Sequence, residues 1–454
     1  MTLAEHYAQF ASRLAWRDLP GSVGAIALEL FADWLSNAAA GYASPLARAL
    51  RDMVPVTGQA MRLGDLQAAE PLPAALINAS AAHALEFDDS YRAGLYHPGA
   101  PVISAAFSAA CLAGATGADL LCGLVAGYEL SLRLAAAINP AHYGIWHTTG
   151  TVGAFGATAA AAHILGLSPE QTASALGLAG TQAAGLWEVL PDSPQAKNLH
   201  PAKAAHSGLL AALLAQCGID GPKTIFEGKR GFFAATVPVP VDLEQCRAGL
   251  GKEWLTPETT FKAYPVCGHT MTPIEAAFLL AGRVNISEIE AIEVRAHPVS
   301  LRIASNPDPS DAAQAKFSIP YCVAAALCRG CVGLEEFTPE TMNDPLIRRL
   351  LGRTTLVADD TLGRVPGQRP ARIAVRLARG ETLSAQADVR KGDPERPMTG
   401  AEKREKCLRL IASTWGRESA ENIFAAVSAL PEARNIAVWA GGLRSFIGRQ
   451  HETK

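Results

Sequence analysis

The sequence predicts a mainly α-helical protein: a large all-helical domain, discontinuous along the chain, plus a smaller α+β domain. Three observations carry this. Long uncharged runs rich in Ala, Gly, Ser and Thr recur between residues 72 and 168, broken only by turns and single charges. Alternation of apolar and charged residues, the period of a half-buried strand, appears only beyond Lys262, at Ile289–Ala296 and Ala371–Leu377. From Glu402 the pattern returns to helix. The expected division is residues 1–262 as the first part of the helical domain, 263–398 as the α+β domain, and 399–454 as the helical domain's C-terminal part.

Composition narrows the class of protein. Of 454 residues, 49% are hydrophobic and only 18% charged, against about a quarter charged in ordinary globular chains. Much helix surface is therefore expected to be covered, within the subunit or between subunits, and a homo-oligomer is anticipated. A net charge of −3 argues against a nucleic-acid partner, which calls for a basic excess. The nine cysteines are odd in number, scattered and set mostly in apolar helical patterns, as expected for reduced thiols of a cytoplasmic protein. No charged stretch followed by an apolar one opens the chain, so no signal peptide is expected. The runs Ala100 to Ala118 and Gly150 to Ser168 have the length of membrane spans. Their small residues, and His163 within the second, favour buried helices of a soluble protein, with no membrane partner.

Taken in order, Ala25 to Ala39 reads as an amphipathic helix and Leu72 to Leu85 as a helix free of charge. The run to Cys111 and the segment Ala118 to Ile138 read as two packed helices, the second stopped by Asn139-Pro140. Gly150 to Leu165 is the next, ended by Gly166. Ser168-Pro169-Glu170-Gln171 then opens another, with an N-cap serine, a proline in the first turn and a glutamine placed for a capping box. Pro201 to Cys217 is a further apolar helix. In the second domain Leu383 to Val389 is expected to pair with Ala371–Leu377 across Gly380, with loops at Asn306 to Ser310 and Asp359 to Pro370. Glu402 to Ser413 and Ser419 to Leu430 complete the helices.

The chain contains no P-loop, dinucleotide-binding glycine fingerprint, HExxH or Gly-x-Ser-x-Gly elbow, which excludes most simple nucleotide, zinc-protease and hydrolase readings. Cys328-Arg329-Gly330-Cys331 lacks the second cysteine pair that a zinc site needs. Chemistry is expected where charge stands beside an apolar wall, because a buried ionised group must be paired, neutralised or given a task. Glu86-Phe87-Asp88-Asp89-Ser90 with His97-Pro98 is the first such place. The acidic pair reads as a solvated turn or helix cap, or as the carboxylate that orients His97, and we expect Asp88 behind that imidazole. Tyr143 to Gly150 lies at the mouth of a helix whose free N–H groups suit a carboxylate, while Thr148 and Thr149 are also ordinary caps. Lys197, His200, Lys203 and His206 form a basic cluster, a face that is ordinarily solvated and gains meaning with an acidic ligand. Lys262, Tyr264, Cys267 and His269 crowd a loop at the expected domain boundary, and Lys316 to Tyr321 forms a second wall.

Six ordered blocks together resemble the MmgE/PrpD family. They are Glu86-Phe87-Asp88-Asp89 with His97-Pro98; Trp146-His147 with Gly150 and Gly153 to Gly156; Lys197-x-x-His200 with Ala204-Ala205; Glu227-Gly228-x-x-Gly231-Phe232; Lys262-x-Tyr264-Pro265; and Lys316-Phe317-Ser318-x-x-Tyr321. The resemblance implies a helical and a smaller α+β domain, usually in a dimer, with the active site between the domains and with neither metal nor cofactor. It also implies a small polycarboxylate substrate and proton transfer next to a carboxylate. Asp88, His97, Tyr143, His147, Lys197, Lys262 and Cys267 resemble the family's active-site positions. On that basis His97 backed by Asp88, and His147 or Tyr143, form the acid/base pair, with Lys262 also in the catalytic set. Lys197, Lys262, the helix mouth at Thr149, Lys203, His206, Cys267 and His269 bind the substrate. Departures from the family pattern at Thr148, at Lys203 with His206, and at Met271 imply altered substrate contacts. The expected activity is dehydration of a hydroxylated di- or tricarboxylate of the methylcitrate kind. Epimerisation of a dicarboxylate such as iminodisuccinate comes second and cis-aconitate-type decarboxylation third. Outside the enzymes stands a catalytically silent binding protein with the same fold.

Overall fold

Caps and small residues set the helical half of the molecule. A computed structural model describes residues 1–189, 194–363 and 368–447. Ser168 accepts from the Gln171 N–H and Gln171 reaches back, with Pro169 in the first turn, so the Pro169–Gly180 helix starts where its capping box lies. Thr116 with Asp119 and Thr399 with Glu402 open the Gly117–Ile138 and Gly400–Trp415 helices in the same way. The Pro71–His83 and Gly99–Ala113 helices lie where the uncharged runs placed them, and the Leu199–Gln216 helix starts two residues before the expected Pro201. The Thr148–Ile164 helix begins two residues before the expected Gly150, because His147 takes the N-cap position.

Two compact units result, Met1–Thr259 with Thr399–Lys454, and Thr260–Met398. In the first, the Gly99–Ala113, Gly117–Ile138 and Thr148–Ile164 helices are buried on nearly every side, so they show no polar face. Gly127 allows two of them to touch: a Cβ there would lie 2.5 Å from the Gly156 carbonyl oxygen. Among the described residues the Gly117–Ile138 helix alone is long and apolar enough to cross a membrane, and 89% of its most apolar window is buried inside the protein. It also carries the buried Glu129, which accepts from the Thr256 N–H at 2.7 Å and pairs with Arg133 at 2.5 Å. Those are the properties of a core helix.

The Gly21–Gly41 helix departs from the amphipathic expectation in its second half, which is buried on all sides. The reason is the returning C-terminal chain, whose Gly400–Trp415 helix packs on it. Lys406 is the pin. Its ammonium lies 2.6 Å from Asp33, donates to the Phe87 carbonyl at 2.7 Å and stands 4.2 Å above the Phe87 ring. Both members of the ion pair are buried, and burial pushes the Asp33 carboxyl up despite Lys406.

The second unit is a four-stranded sheet in the order 354–358, 289–296, 371–377, 382–387. Along Ala371–Leu377 the even spacing buries Ala371, Ile373, Val375 and Leu377 and leaves Arg372 and Arg376 exposed, as the alternation predicts. It pairs antiparallel with Ile289–Ala296 and with Thr382–Ala387. The fourth strand, Thr354–Ala358, runs parallel to Ile289–Ala296 and has no counterpart in the sequence reading. It is a short edge strand whose side chains are all partly or fully exposed, so it shows no alternation. The Met271–Phe278 and Ile319–Arg329 helices share the sheet's apolar cluster. Thr260 donates to Asp393 at 2.6 Å and the Phe261 N–H to the Gly392 carbonyl at 3.1 Å, which ties Lys262 to this unit rather than to the end of the helical part. Of the loop expected at Asp359 to Pro370, residues 364–367 lie outside the described residues.

Lys406→Met leaves Asp33 buried without its cation, and we expect a loss of about 3–5 kcal/mol in urea denaturation. Combining it with Asp33→Leu recovers most of that loss, since the pair is then replaced rather than broken.

Candidate active site

The Pro71–His83 helix delivers its last residue into an acidic turn. Glu86 has φ +55°, a left-handed conformation that a non-glycine residue adopts only when its surroundings hold it there. Here the hold is ionic: Lys197 donates to Glu86 in a close buried pair, Lys197 being 4% exposed. Asp88 and Asp89 are buried as well. Asp89 accepts from the Gly99 N–H at 3.0 Å and from the Tyr128 hydroxyl at 2.9 Å. Gly99 is required at that point, because a Cβ would fall 2.3 Å from the Asp89 carboxylate. Burial, and then the charge of Asp88, push Asp89 up to about 8. At neutral pH it is a protonated acid.

His97 is oriented differently from expectation. Its Nδ1 lies 2.9 Å from the Asp89 backbone carbonyl, while Asp88 is 3.7 Å away and sits closer, at 2.7 Å, to Nδ1 of His83. A carbonyl only accepts, so Nδ1 of His97 carries the hydrogen, and in the neutral form of the ring Nε2 carries the lone pair. The backbone N–H of His97 donates to Thr149 Oγ1 at 3.2 Å, so Thr149 positions His97 instead of merely capping its own helix. At 17% side-chain exposure His97 is far more open than Asp88, at 3%.

His83 is the residue that the sequence reading overlooked. Its ring is fully buried, with centroids 5.1 Å from His97 and 6.0 Å from His147. Its Nε2 faces Glu86 at 3.9 Å and makes no hydrogen bond among the described residues. The only signal in the sequence was its place three residues before Glu86 at the end of a helix. His83, Asp88 and His97 bring ligand atoms within 4.8 Å of one another, a spacing that could hold a cation and that the His83–Asp88 hydrogen bond already explains.

His147 is 1% exposed, and its Nδ1 lies 3.0 Å from Nδ1 of His200. Burial foremost, then Lys197, His200, His83 and His97, hold its imidazole well below the usual range, so it is neutral. Tyr143 stands one ring away: it packs at 4.9 Å on Trp187, which lies 4.3 Å from His147. The basic cluster thus divides. Lys197 and His200 turn inward, whereas exposed Lys203 donates to Ser207 at 2.8 Å and His206 is partly buried on the same helix. Among the described residues no hydrogen bond or ion pair joins Lys203 or His206 to the imidazole cluster.

Lys262, Cys267 and His269 belong to the second unit and are buried there. His269 lies 3.1 Å from Ser300 Oγ, and burial with Arg369 and Arg390 lowers its imidazole to about 3. It is therefore neutral at neutral pH. All nine cysteines are free, and burial pushes Cys328 of the CxxC up to about 11, away from an activated thiol.

Asp89 has a raised folded-state value, so the unfolded chain releases its proton above 3.8 while the folded chain keeps it to about 8. Its contribution to stability is complete below 3.8 and is lost as pH rises through that window. His147 and His200 have the opposite sign, contributing above 6.5 and losing that contribution as pH falls. Asp89→Asn removes only the first of these. Relative to the wild type it should gain stability between pH 5 and 8, by up to about 1.4 kcal/mol per pH unit, in urea denaturation at stepped pH. Parallel curves would show Asp89 ionised in the folded protein.

Residues 5–242 match the MmgE/PrpD N-terminal domain and residues 264–432 the MmgE/PrpD C-terminal domain. The chain is 29% identical to the cis-aconitate decarboxylase-like protein oryM of Aspergillus oryzae, over 92% of each chain. It is 27% identical to the cis-aconitate decarboxylase of Mus musculus, over 81% of this chain and 77% of the other. With the mitochondrial 2-methylcitrate dehydratase of Yarrowia lipolytica it shares 26% identity over 53% of this chain and 47% of that one. Two domain matches that leave little of the chain uncovered place it: the protein belongs to the MmgE/PrpD family.

Proposed function

We propose that the protein is an acid/base lyase acting on a small tricarboxylate without a cofactor, and that its reaction is loss of CO2 from a cis-aconitate-like acid. The observation that carries the acid/base part is His97: its Nδ1 lies 2.9 Å from the Asp89 carbonyl, which orients the ring and makes Nε2 the basic atom of its neutral form. Decarboxylation moves ahead of the dehydration first expected because a decarboxylase-like relative aligns over 92% of both chains, against about half for the dehydratase.

The chemistry asks for one proton. When CO2 leaves a carboxylate that is β,γ to a double bond, the electron pair of the broken C–C bond shifts the double bond, and the γ carbon takes up a proton. His97 or His147 supplies it, a role ordinarily worth about 10²- to 10⁴-fold in rate. Lys197 binds a substrate carboxylate in this reading, sharing its charge with Glu86. Dehydration, the second reading, asks more of the same groups, since a base removes a proton from carbon and an acid protonates the departing hydroxyl. A homodimer is part of the proposal, supported by the low charge content of 18%, and sedimentation velocity tests it.

Proton NMR in D2O with cis-aconitate and with 2-methylcitrate separates the readings. We expect CO2 release with one deuterium entering the product from cis-aconitate. Water loss from 2-methylcitrate alone would select the dehydratase, and silence towards both would return the chain to the binding-protein reading. His97→Gln should lower kcat by about 10² or more with KM changed severalfold at most.

A further inference from the structure

The His147–His200 contact is an imidazole pair joined through like atoms, Nδ1 to Nδ1 at 3.0 Å. One nitrogen must carry the hydrogen and the other the lone pair, so the two tautomers depend on each other. If His147 donates, its Nε2 is a base; if His200 donates, Nε2 of His147 carries a hydrogen and is an acid. Two glycines open the space for this approach. A Cβ on Gly150 would lie 3.0 Å from the His200 Cβ, and one on Gly185, which has φ +145°, would lie 3.2 Å from its ring. On its far side His200 is partly exposed and lines a cavity of about 680 Å³, whose walls do not include His147.

We propose that His147 and His200 form a proton relay between the imidazole cluster and the cavity that His200 shares with Trp146, Gly185, Leu186, Leu199 and Lys203. When Nε2 of His147 accepts a proton, its Nδ1 hydrogen passes to Nδ1 of His200, and the Nε2 hydrogen of His200 leaves to water in the cavity. Delivery to a substrate runs through the same three transfers in reverse and leaves both tautomers exchanged; once product has left, a proton taken from water at Nε2 of His147, with one released to water from Nε2 of His200, restores them. Each ring is neutral before and after. That matters because Lys197, His83 and His97 face His147, and Lys197 and His83 also act on His200, with Lys203 and Glu188 on the cavity wall. Burial and these neighbours hold His147 well below the usual range and His200 at about 4, so neither ring can store a proton as imidazolium. Passing it on avoids the buried charge. His200 is in this account a positioning and relay residue, acting through His147, and the inference rests on the proposed acid/base role of the cluster.

Two measurements test it. Histidine ¹⁵N NMR of the substrate-free protein reads the tautomers whatever the reaction is. We expect one ring of the pair to carry its hydrogen on Nδ1, and two rings protonated on Nε2 alone would overturn the relay. In kinetics, His200→Asn keeps a hydrogen bond to His147 but cannot pass a proton. We expect kcat to fall about 10²-fold with KM within threefold, and His200→Gly to regain turnover with millimolar imidazole through the cavity. A His200→Asn enzyme within threefold of wild-type kcat would refute the relay while the substrate assignment stands. A wild-type protein inert towards every tricarboxylate refutes the functional proposal instead, and leaves the tautomer spectrum to decide the relay.

Discussion

Three carboxylates within four residues, Glu86, Asp88 and Asp89, are buried in the helical unit, and that burial constrains much of what surrounds them. An uncompensated buried carboxylate costs several kcal/mol, so each must find a partner or a proton. The three solutions differ. Glu86 takes a lysine from more than a hundred residues away, Asp88 an imidazole at the end of the preceding helix, and Asp89 a proton, a tyrosine hydroxyl and a helix N-terminus. Lys406 then holds the Phe87 carbonyl between them and brings the C-terminal chain back onto the first helices. The discontinuity of the helical unit follows from the same requirement: the cation that steadies the acidic turn is encoded after the second unit.

The site is thereby unusual in its charge balance. Positive groups are present, yet Lys197 is matched by Glu86, and the imidazoles of buried His147 and partly exposed His200 are neutral. Acid and base behaviour in such a setting depends on tautomers more than on ionisation. Backbone and side-chain partners choose those tautomers: the Asp89 carbonyl for His97, and a second imidazole for His147. A carboxylate behind an imidazole, the arrangement anticipated for Asp88 and His97, would have favoured a charged ring. The carbonyl favours a neutral one with a defined lone pair.

Much of the architecture was legible before the structure. Capping boxes, uncharged runs and the alternation at Ala371–Leu377 are local signals, and the elements they mark lie within a few residues of their expected bounds. The blocks at Glu86–Asp89, His97, His147 and Lys197 marked the site, because charge adjoining long apolar runs has few stable outcomes. The edge strand Thr354–Ala358 escaped, since half-exposed residues on a five-residue strand leave no periodic trace.

What the sequence by itself determined is where helices begin, which strands alternate, which family the chain resembles and which turn carries buried charge, since each depends on residues close together or on ordered blocks. Only the tertiary structure decided the partners. That Asp88 meets His83, that Asp89 keeps its proton, and that His200 turns inward while Lys203 faces outward depend on which helices cross, and on how much water each crossing removes. Desolvation and hydrogen-bond direction are properties of the assembled interior, and they choose the protonation state on which the chemistry depends.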